Sequence, residues 1–356
     1  MSETNRSKDL IGRPSKAGQA KVYATMADTS IASTGLASAA PTGPAASPSK
    51  YDRLIAEAKR VAAVKAIVVH PCDETSLRGA IEAAKIGLII PLLVGPAAKI
   101  NRVAHEHQIE IGAFEVVDVP HSDEAAAKAV ELIHESKGEV LMKGSLHTDE
   151  LMREVTSGKT GLRTARRISH VFIMDVPTYP ETIFITDAAI NIFPELDAKR
   201  DIIQNAVDLF TQLGLGKPRV AILSAVETVT SKIPSTIDAA ALCKMADRGQ
   251  IIGGILDGPL AFDNAIDPEA ARIKGIHSPV AGRAQILVVP DLEAGNMLAK
   301  NLVYLSKADS AGLVLGARVP IVLTSRADSV RSRMASCAAA VLYAAARRES
   351  ASVPAV

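Results

Sequence analysis

Val-Pro-Ile-Val-Leu-Thr-Ser-Arg-Ala-Asp-Ser, residues Val319 to Ser329, is the stretch around which this chain is read. Val319–Thr324 has the short, β-branched, apolar character of a buried strand. Ser325 then reads as a helix start, with Asp328 three residues on, the spacing of an acidic capping-box variant. Arg326 and Ser329 fall on the first turn, beside free backbone N–H groups and the positive end of the helix dipole. A strand that delivers an Arg and two Ser residues to a helix N-terminus makes a good anion site. The plain alternative is a capped surface helix with a solvated Arg. The stretch alone does not separate the two.

Upstream of it the chain alternates strand and helix. Leu54, Ile55, Ala58, Val61 and Ala62 recur at helical spacing, and Ala66–Val69 is a compact strand ending at His70-Pro71. Helices are expected over Asp73–Lys85, Asp123–Lys137 and Asp149–Thr156, and strands over Gly87–Val94, Phe114–Asp118 and Glu139–Met142. Repeated βα alternation implies a mainly parallel sheet covered by helices on both faces. After Arg167 the strands Val171–Asp175 and Thr182–Thr186 are joined by too few residues for a crossover helix, so an antiparallel pair is expected. Alternation resumes through helix Lys199–Leu213, strand Arg219–Leu223, helix Ile237–Ala246, strands Ile251–Leu256 and Gln285–Val289, and helix Glu293–Leu305. The expected fold class is α/β, with two α/β domains of mainly parallel sheet and a cleft between them. Domain I comprises 51–166 plus 317–356, and domain II comprises 167–316. Residues 1–50 read as a disordered leader, because the Ala, Ser, Thr, Pro and Gly of Ile31–Lys50 bury too little surface to offset chain entropy.

Composition removes several classes of function. Of 356 residues, 40 are Lys or Arg and 39 Asp or Glu, a net charge of +1 that supports neither nucleic-acid nor membrane-surface binding. Trp is absent and aromatics are 3%, which leaves no base-stacking platform. Cys72, Cys243 and Cys337 are widely spaced and suit buried thiols in a reducing compartment. The most apolar run, Ile86–Ala98, is broken by Pro91 and Pro96 and is too short to span a bilayer. Gly158-Lys159-Thr160 is not a P-loop, since Arg153 stands where the first glycine belongs. Gly214 and Gly216 follow a helix rather than a strand and read as its C-cap. His105 and His107 would point to different sides of a helix, so no metal pair is expected.

What remains is a set of polar loops at the expected C-terminal ends of strands, where open α/β sheets build their sites. They are Lys143–Thr148 (with Ser145 and His147) followed by Arg153, then Thr186–Asn191, Asp257–Asp263 and Pro290–Asn296. The parallel rule would put all of them, with Ser325 and Arg326, on one edge of the sheet.

Gly258-Pro259-Leu260-x-Phe262-Asp263, then Pro290-Asp291-Leu292-x-x-Gly295-Asn296, then Ser325-Arg326 resemble the phosphate acetyltransferase and phosphate butyryltransferase family. The order and spacing match from about Tyr51 to the C-terminus. Gly161–Glu195 looks like the acetyltransferase half of bifunctional enoyl-CoA hydratase/phosphate acetyltransferase chains. The resemblance implies a cytoplasmic homodimer that transfers a short acyl group reversibly between coenzyme A and inorganic phosphate, with no metal or redox cofactor. Together with the chemistry of the loops, it makes Arg326, Ser325 and Asp263 the catalytic candidates and Ser329, Arg153, Ser145, His147 and Asn296 the substrate-binding candidates. Candidate bases for the thiol are Asp328, Asp263 and Asp187, because Ser332 stands where the better-known acetyltransferases carry an acid. That departure keeps a catalytically idle acyl-CoA or phosphometabolite-binding protein in view. A nicotinamide-dependent dehydrogenase of related architecture lacks its fingerprint here.

Overall fold

The structure, a computed structural model, describes residues 49–324 and 328–352. Most of the expected leader lies outside them, as do Ser325 and Arg326. Ser49 and Lys50, placed in that leader, belong instead to the folded chain. Ser49 caps α1 (Lys50–Ala58) in a capping box with Asp52, and Lys50 is ion-paired to Asp175 at 2.9 Å. The Tyr51 hydroxyl, fully buried, donates to the Ile173 carbonyl at 2.6 Å and locks α1 onto the sheet.

The first half of the chain continues as β1 (Val64–Val69), α2 (Glu74–Lys85), β2 (Ile89–Gly95), α3 (Ala97–Glu106), β3 (Val116–Asp118), α4 (Ser122–His134), β4 (Val140–Lys143) and α5 (Thr148–Thr156). Next come β5 (Ser169–Asp175), β6 (Ile183–Thr186), α6 (Leu196–Gln212), β7 (Arg219–Leu223) and α7 (Pro234–Asp247). The last part holds β8 (Ile255–Leu260), α8 (Phe262–Ile266), α9 (Pro268–Ile273), β9 (Ile286–Val288), α10 (Leu292–Tyr304), β10 (Asp309–Leu315), β11 (Ile321–Val322) and α11 (Val330–Ser352).

The fold is α/β, built on one eleven-stranded sheet in the order β3-β2-β1-β4-β11-β10-β5-β6-β9-β7-β8. Strands from 51–166 and 317–356 fill one side of that order and strands from 167–316 the other, and the sheet is continuous between them. Pairings are parallel except β5–β6, β5–β10 and β10–β11. Alternation along the strands sorts the core. Val68, Met142, Val322 and Phe184 face a cluster shared with α6 and α11, whereas Ile67, Leu141 and Ile321 face α4 and α5. Ile185 and Leu287 face a third cluster that includes Leu302 of α10.

Three antiparallel pairings have a consequence that the parallel rule missed. Strands β1, β4, β11 and β5 point one way, and β6, β9, β7 and β8 point the other. The expected convergence of all the polar loops on one edge is therefore wrong within a single chain.

Other corrections have local causes. The expected strand Ile251–Leu256 lies four residues later, as β8, because Gly253 (φ +84°) and Gly254 break the chain first. Pro259 is tolerated inside β8 because β8 is the last strand of the sheet. Strand β11 is shorter than Val319–Thr324, and the helix expected from Ser325 begins at Val330. Strand β10 went unrecognised because Asp309, Ser310 and Gly312 interrupt its apolar run. Gly312 is required there: a Cβ would stand 2.8 Å from Nε2 of His170 and 2.8 Å from the Leu323 carbonyl.

Two outcomes follow from this core. Phe184 is fully buried and meets Phe210 edge-on at 5.2 Å, so Phe184→Ala should cost about 3–5 kcal/mol. Guanidinium unfolding will show it as a lower midpoint at unchanged slope. His170 is buried against Phe172, its Nδ1 lacks a partner, and burial alone pushes its pKa down to about 3. The unfolded chain takes up this proton below about pH 6.5 while the folded chain does not, so stability falls as pH drops from 6.5 toward 3. His170→Gln should flatten that acid slope by up to about 1.4 kcal/mol per pH unit, read from unfolding midpoints at pH 7 and pH 5.

Candidate active site

The ends of β1, β4 and β11 lie side by side, and short side-chain bonds hold them. Gly144, just past β4, must be glycine, since a Cβ there would come within 2.4 Å of the Val69 carbonyl and 2.5 Å of the His70 carbonyl. This approach lets Ser145 act as a clasp. Its amide donates to the His70 carbonyl at 2.9 Å and its hydroxyl donates to the same carbonyl at 2.8 Å. Ser145 Oγ also accepts from the Cys72 amide at 3.3 Å and is hydrogen-bonded to His70 Nδ1 at 2.9 Å. Partial burial, with Lys99 nearby, lowers the His70 pKa. Ser145, expected to bind substrate, thus secures the strand ends.

His147 is exposed and is the N-cap of α5, its amide donating to Glu150 at 2.8 Å. Arg153 is exposed on the last turn of the same helix. Two cations at this edge were not among the candidate site residues, although Lys143 opens the polar loop Lys143–Thr148. Lys143 is 5% exposed, with Nζ donating to the Gly144 carbonyl at 3.2 Å. Arg333 is 3% exposed, and its Nη1 donates to Thr324 Oγ1 at 2.6 Å. The only sequence signal for either was position: Lys143 ends an apolar strand, and Arg333 follows a helix cap.

The start of α11 differs from expectation. Ser329 precedes the helix and caps it, Oγ accepting from the Ser332 amide at 3.1 Å and donating to Ser332 Oγ at 3.2 Å. Ser332, where the family acid was expected, is buried in this network, and Ser336 donates to its carbonyl at 2.9 Å. Asp328 lies just before the cap and is half-buried.

The remaining candidates sit on the opposite edge. Asp187 is buried, and its carboxylate accepts from the amides of Ala189 (2.9 Å), Ile190 (3.0 Å) and Asn191 (3.2 Å) and from Asn191 Nδ2 (2.6 Å). Burial raises its pKa and these bonds oppose the rise. Its visible task is to build the loop after β6. Asp263 is exposed and bridged at 3.0 Å to Lys274, which also holds Glu227 at 2.7 Å. The Lys274 bond keeps the Asp263 carboxyl below its ordinary pKa, which weakens it as a base. Asn296 donates to the Ala188 carbonyl at 3.3 Å.

Strand β8 is six places from β11 in the sheet, roughly 29 Å at about 4.8 Å per strand. Asp263, after β8, therefore does not join the Thr324 edge within one chain, and Asn296, after β9 four places from β11, opens on the opposite edge. A cavity of about 500 Å³ on their side is lined by Arg163, Arg166, Arg167 and Arg200. Its charge is largely balanced, with Arg166 held by Asp208 at 2.5 Å and Arg200 by Asp201 at 3.1 Å.

No thiol competes as a nucleophile. Burial pushes Cys72 up to about 11 and Cys243 and Cys337 to about 12, so all three are protonated at neutral pH. What the Thr324 edge offers is buried positive charge, helix-start amides and hydroxyls, a setting for an anion and for charge that grows during acyl transfer.

Comparison with known proteins agrees with that chemistry. The family model for phosphate acetyl/butaryl transferase matches residues 120–341. A phosphate acetyltransferase of Rhizobium meliloti is 76% identical over 303 residues, covering 85% of this chain and 96% of its own. A phosphate butyryltransferase of Clostridium acetobutylicum is 40% identical, covering 83% of this chain and 98% of its own. Among solved structures, a branched-chain phosphotransacylase from Enterococcus faecalis V583 superposes with a TM-score of 0.69 at 28% identity, over 79% of this chain and 99% of its own. The chain belongs to the phosphate acetyltransferase and butyryltransferase family.

Proposed function

We propose that the enzyme works as a phosphate acetyltransferase at the C-terminal ends of β1, β4 and β11. It converts acetyl-CoA and inorganic phosphate reversibly into acetyl phosphate and coenzyme A. Identity of 76% to the Rhizobium meliloti acetyltransferase carries the choice of reaction. The buried cations Lys143 and Arg333 support the choice of edge.

In the direction that makes acetyl-CoA, the thiolate of coenzyme A attacks the carbonyl carbon of acetyl phosphate. The C–S bond forms, the C–O bond to phosphate breaks, and phosphate leaves with the electron pair. Negative charge builds on the carbonyl oxygen in between, so fixed cations and amides stabilise the transition state more than the ground state. We assign phosphate binding to Arg326, whose fork Lys could not reproduce, with Ser325 beside it. Both lie outside the described residues, and their assignment rests on the family motif. Arg153 and His147, exposed beside this edge, are assigned to coenzyme A.

No oxidation state changes, so no redox cofactor is called for. A thiol of pKa about 8.5 is mostly protonated at neutral pH and gains from a base. Of the three carboxylates considered, Asp328 alone lies at this edge, and it takes that role here. The reading extends to two lobes divided near residues 166 and 317 with a cleft between them, and to a cytoplasmic homodimer, on the family resemblance. Among the described residues no helix is long and apolar enough to cross a membrane.

Release of free thiol from acetyl-CoA and phosphate is the direct assay. Arg326→Ala and Arg326→Gln should each lose about 10²–10³-fold in turnover, and near wild-type rates would remove Arg326 from the mechanism. Acetyl-CoA should turn over faster than butyryl-CoA under the same conditions. Asp328→Asn should lower the rate of acetyl phosphate consumption and abolish the acid limb of its pH profile. An unaltered limb would leave the base elsewhere.

A further inference from the structure

Arg333 sits in the first turn of α11 with its side chain almost wholly removed from water. A guanidinium in that position is costly unless its charge is balanced and its N–H groups are bonded. Burial accordingly lowers its pKa, and the carboxylates of Asp328 and Asp73 oppose the fall. Space for the stem is cut into the facing helix: a Cβ on Gly79 of α2 would stand 3.0 Å from Arg333 Cδ. Thus α2, the end of β11 and the start of α11 all accommodate one side chain.

Where that side chain ends is the informative feature. Arg333 Nη1 donates to Thr324 Oγ1 at 2.6 Å, and Thr324 is itself buried two residues beyond β11. The partners are nine residues apart in sequence, so the bond ties the end of the strand directly to the first turn of the helix. The helix side is pinned independently, since the Arg333 amide donates to the Ser329 carbonyl at 3.1 Å and Ser329 caps the helix. On the other side of the strand, β11 pairs in parallel with β4, which ends at Lys143.

We propose that Arg333 is a positioning residue for acyl transfer: by holding Thr324 from within α11, it fixes the end of β11 against the start of the helix at the transferase edge. Arg333 acts on the reaction through Thr324. This inference rests on the placement of the transferase site at that edge and adds to it a residue outside the family motif.

The experiment measures kcat and KM for acetyl phosphate and coenzyme A in Arg333→Met, Arg333→Lys, Thr324→Val and Arg333→Met/Thr324→Val, with Arg326→Ala run beside them. Circular dichroism and thermal unfolding establish the folded fraction of each. Thr324→Val is nearly isosteric and keeps the helix cap, so it tests the bond even if Arg333→Met folds poorly. Thr324→Val and Arg333→Met should each lower kcat about tenfold with KM for coenzyme A within twofold. The double variant should fall no further than the worse single one, and Arg333→Lys should restore at least a third of wild-type kcat.

Thr324→Val with wild-type kcat in folded protein overturns the proposal, and so do additive losses in the double variant. The two readings fail separately. Full activity in Arg326→Ala would undo the siting of the reaction, whereas an inactive Arg326→Ala beside an active Thr324→Val would undo the role of Arg333 alone.

Discussion

Strand direction reverses in the middle of the sheet, and most of the functional geometry depends on it. Strand β10 runs antiparallel to both β11 and β5, and β6 turns back against β5. Hydrogen bonding accommodates the reversal without breaking the sheet, because either polarity satisfies the backbone. Loops after β1, β4 and β11 then open on one edge, and loops after β6, β9, β7 and β8 open on the other. One continuous sheet thereby carries two chemically different rims. The first holds buried cations, helix-start hydroxyls and Asp328. The second holds self-contained turns, such as the Asp187 loop, and balanced arginine–carboxylate pairs.

Close backbone approach is the means by which the first rim is assembled. Gly144 allows the turn after β4 to lie on the carbonyls of Val69 and His70, and Ser145 then closes the gap. Gly312 leaves room in β10 for the His170 ring beside the Leu323 carbonyl, and Gly79 leaves room for Arg333. At Gly312 and Gly79 a missing Cβ makes room for a polar side chain, and at Gly144 it makes room for backbone carbonyls. Such positions weaken strand and helix propensity. Apolar burial elsewhere, including Phe184, Leu141 and Val322, offsets that loss.

Local patterning disclosed the elements and concealed their polarity. Periodicity placed α2, α6 and β7 to within a few residues because each carries a full apolar face. The short link between Asp175 and Thr182 revealed the β5–β6 hairpin, since no crossover helix fits there. Strand β10 stayed hidden because Gly312 serves His170 and Leu323 rather than the strand itself. Without β10 the chain reads as uniformly parallel, and Asp263 and Asn296 are drawn to the wrong rim. Ser325-Arg326 could be matched to the family motif because such a match is local, and both residues lie outside those described. Lys143 and Arg333 were not legible in this way, because burial of a cation is decided by distant neighbours such as Gly79, Asp73 and Thr324.

Ser332 connects the last two observations. A carboxylate there would enter a position that is 5% exposed, within a cap network already closed by Ser329 and Ser336. It would also place a second acid on the helical turn that carries Arg333, beside Asp328. An added negative charge there would compete with Thr324 for the guanidinium, which donates more strongly to a carboxylate than to a hydroxyl. A small hydroxyl at 332 avoids that competition and leaves Arg333 on the strand end. The small hydroxyl at 332 and the buried Arg333 thus pack within the same first turn of α11.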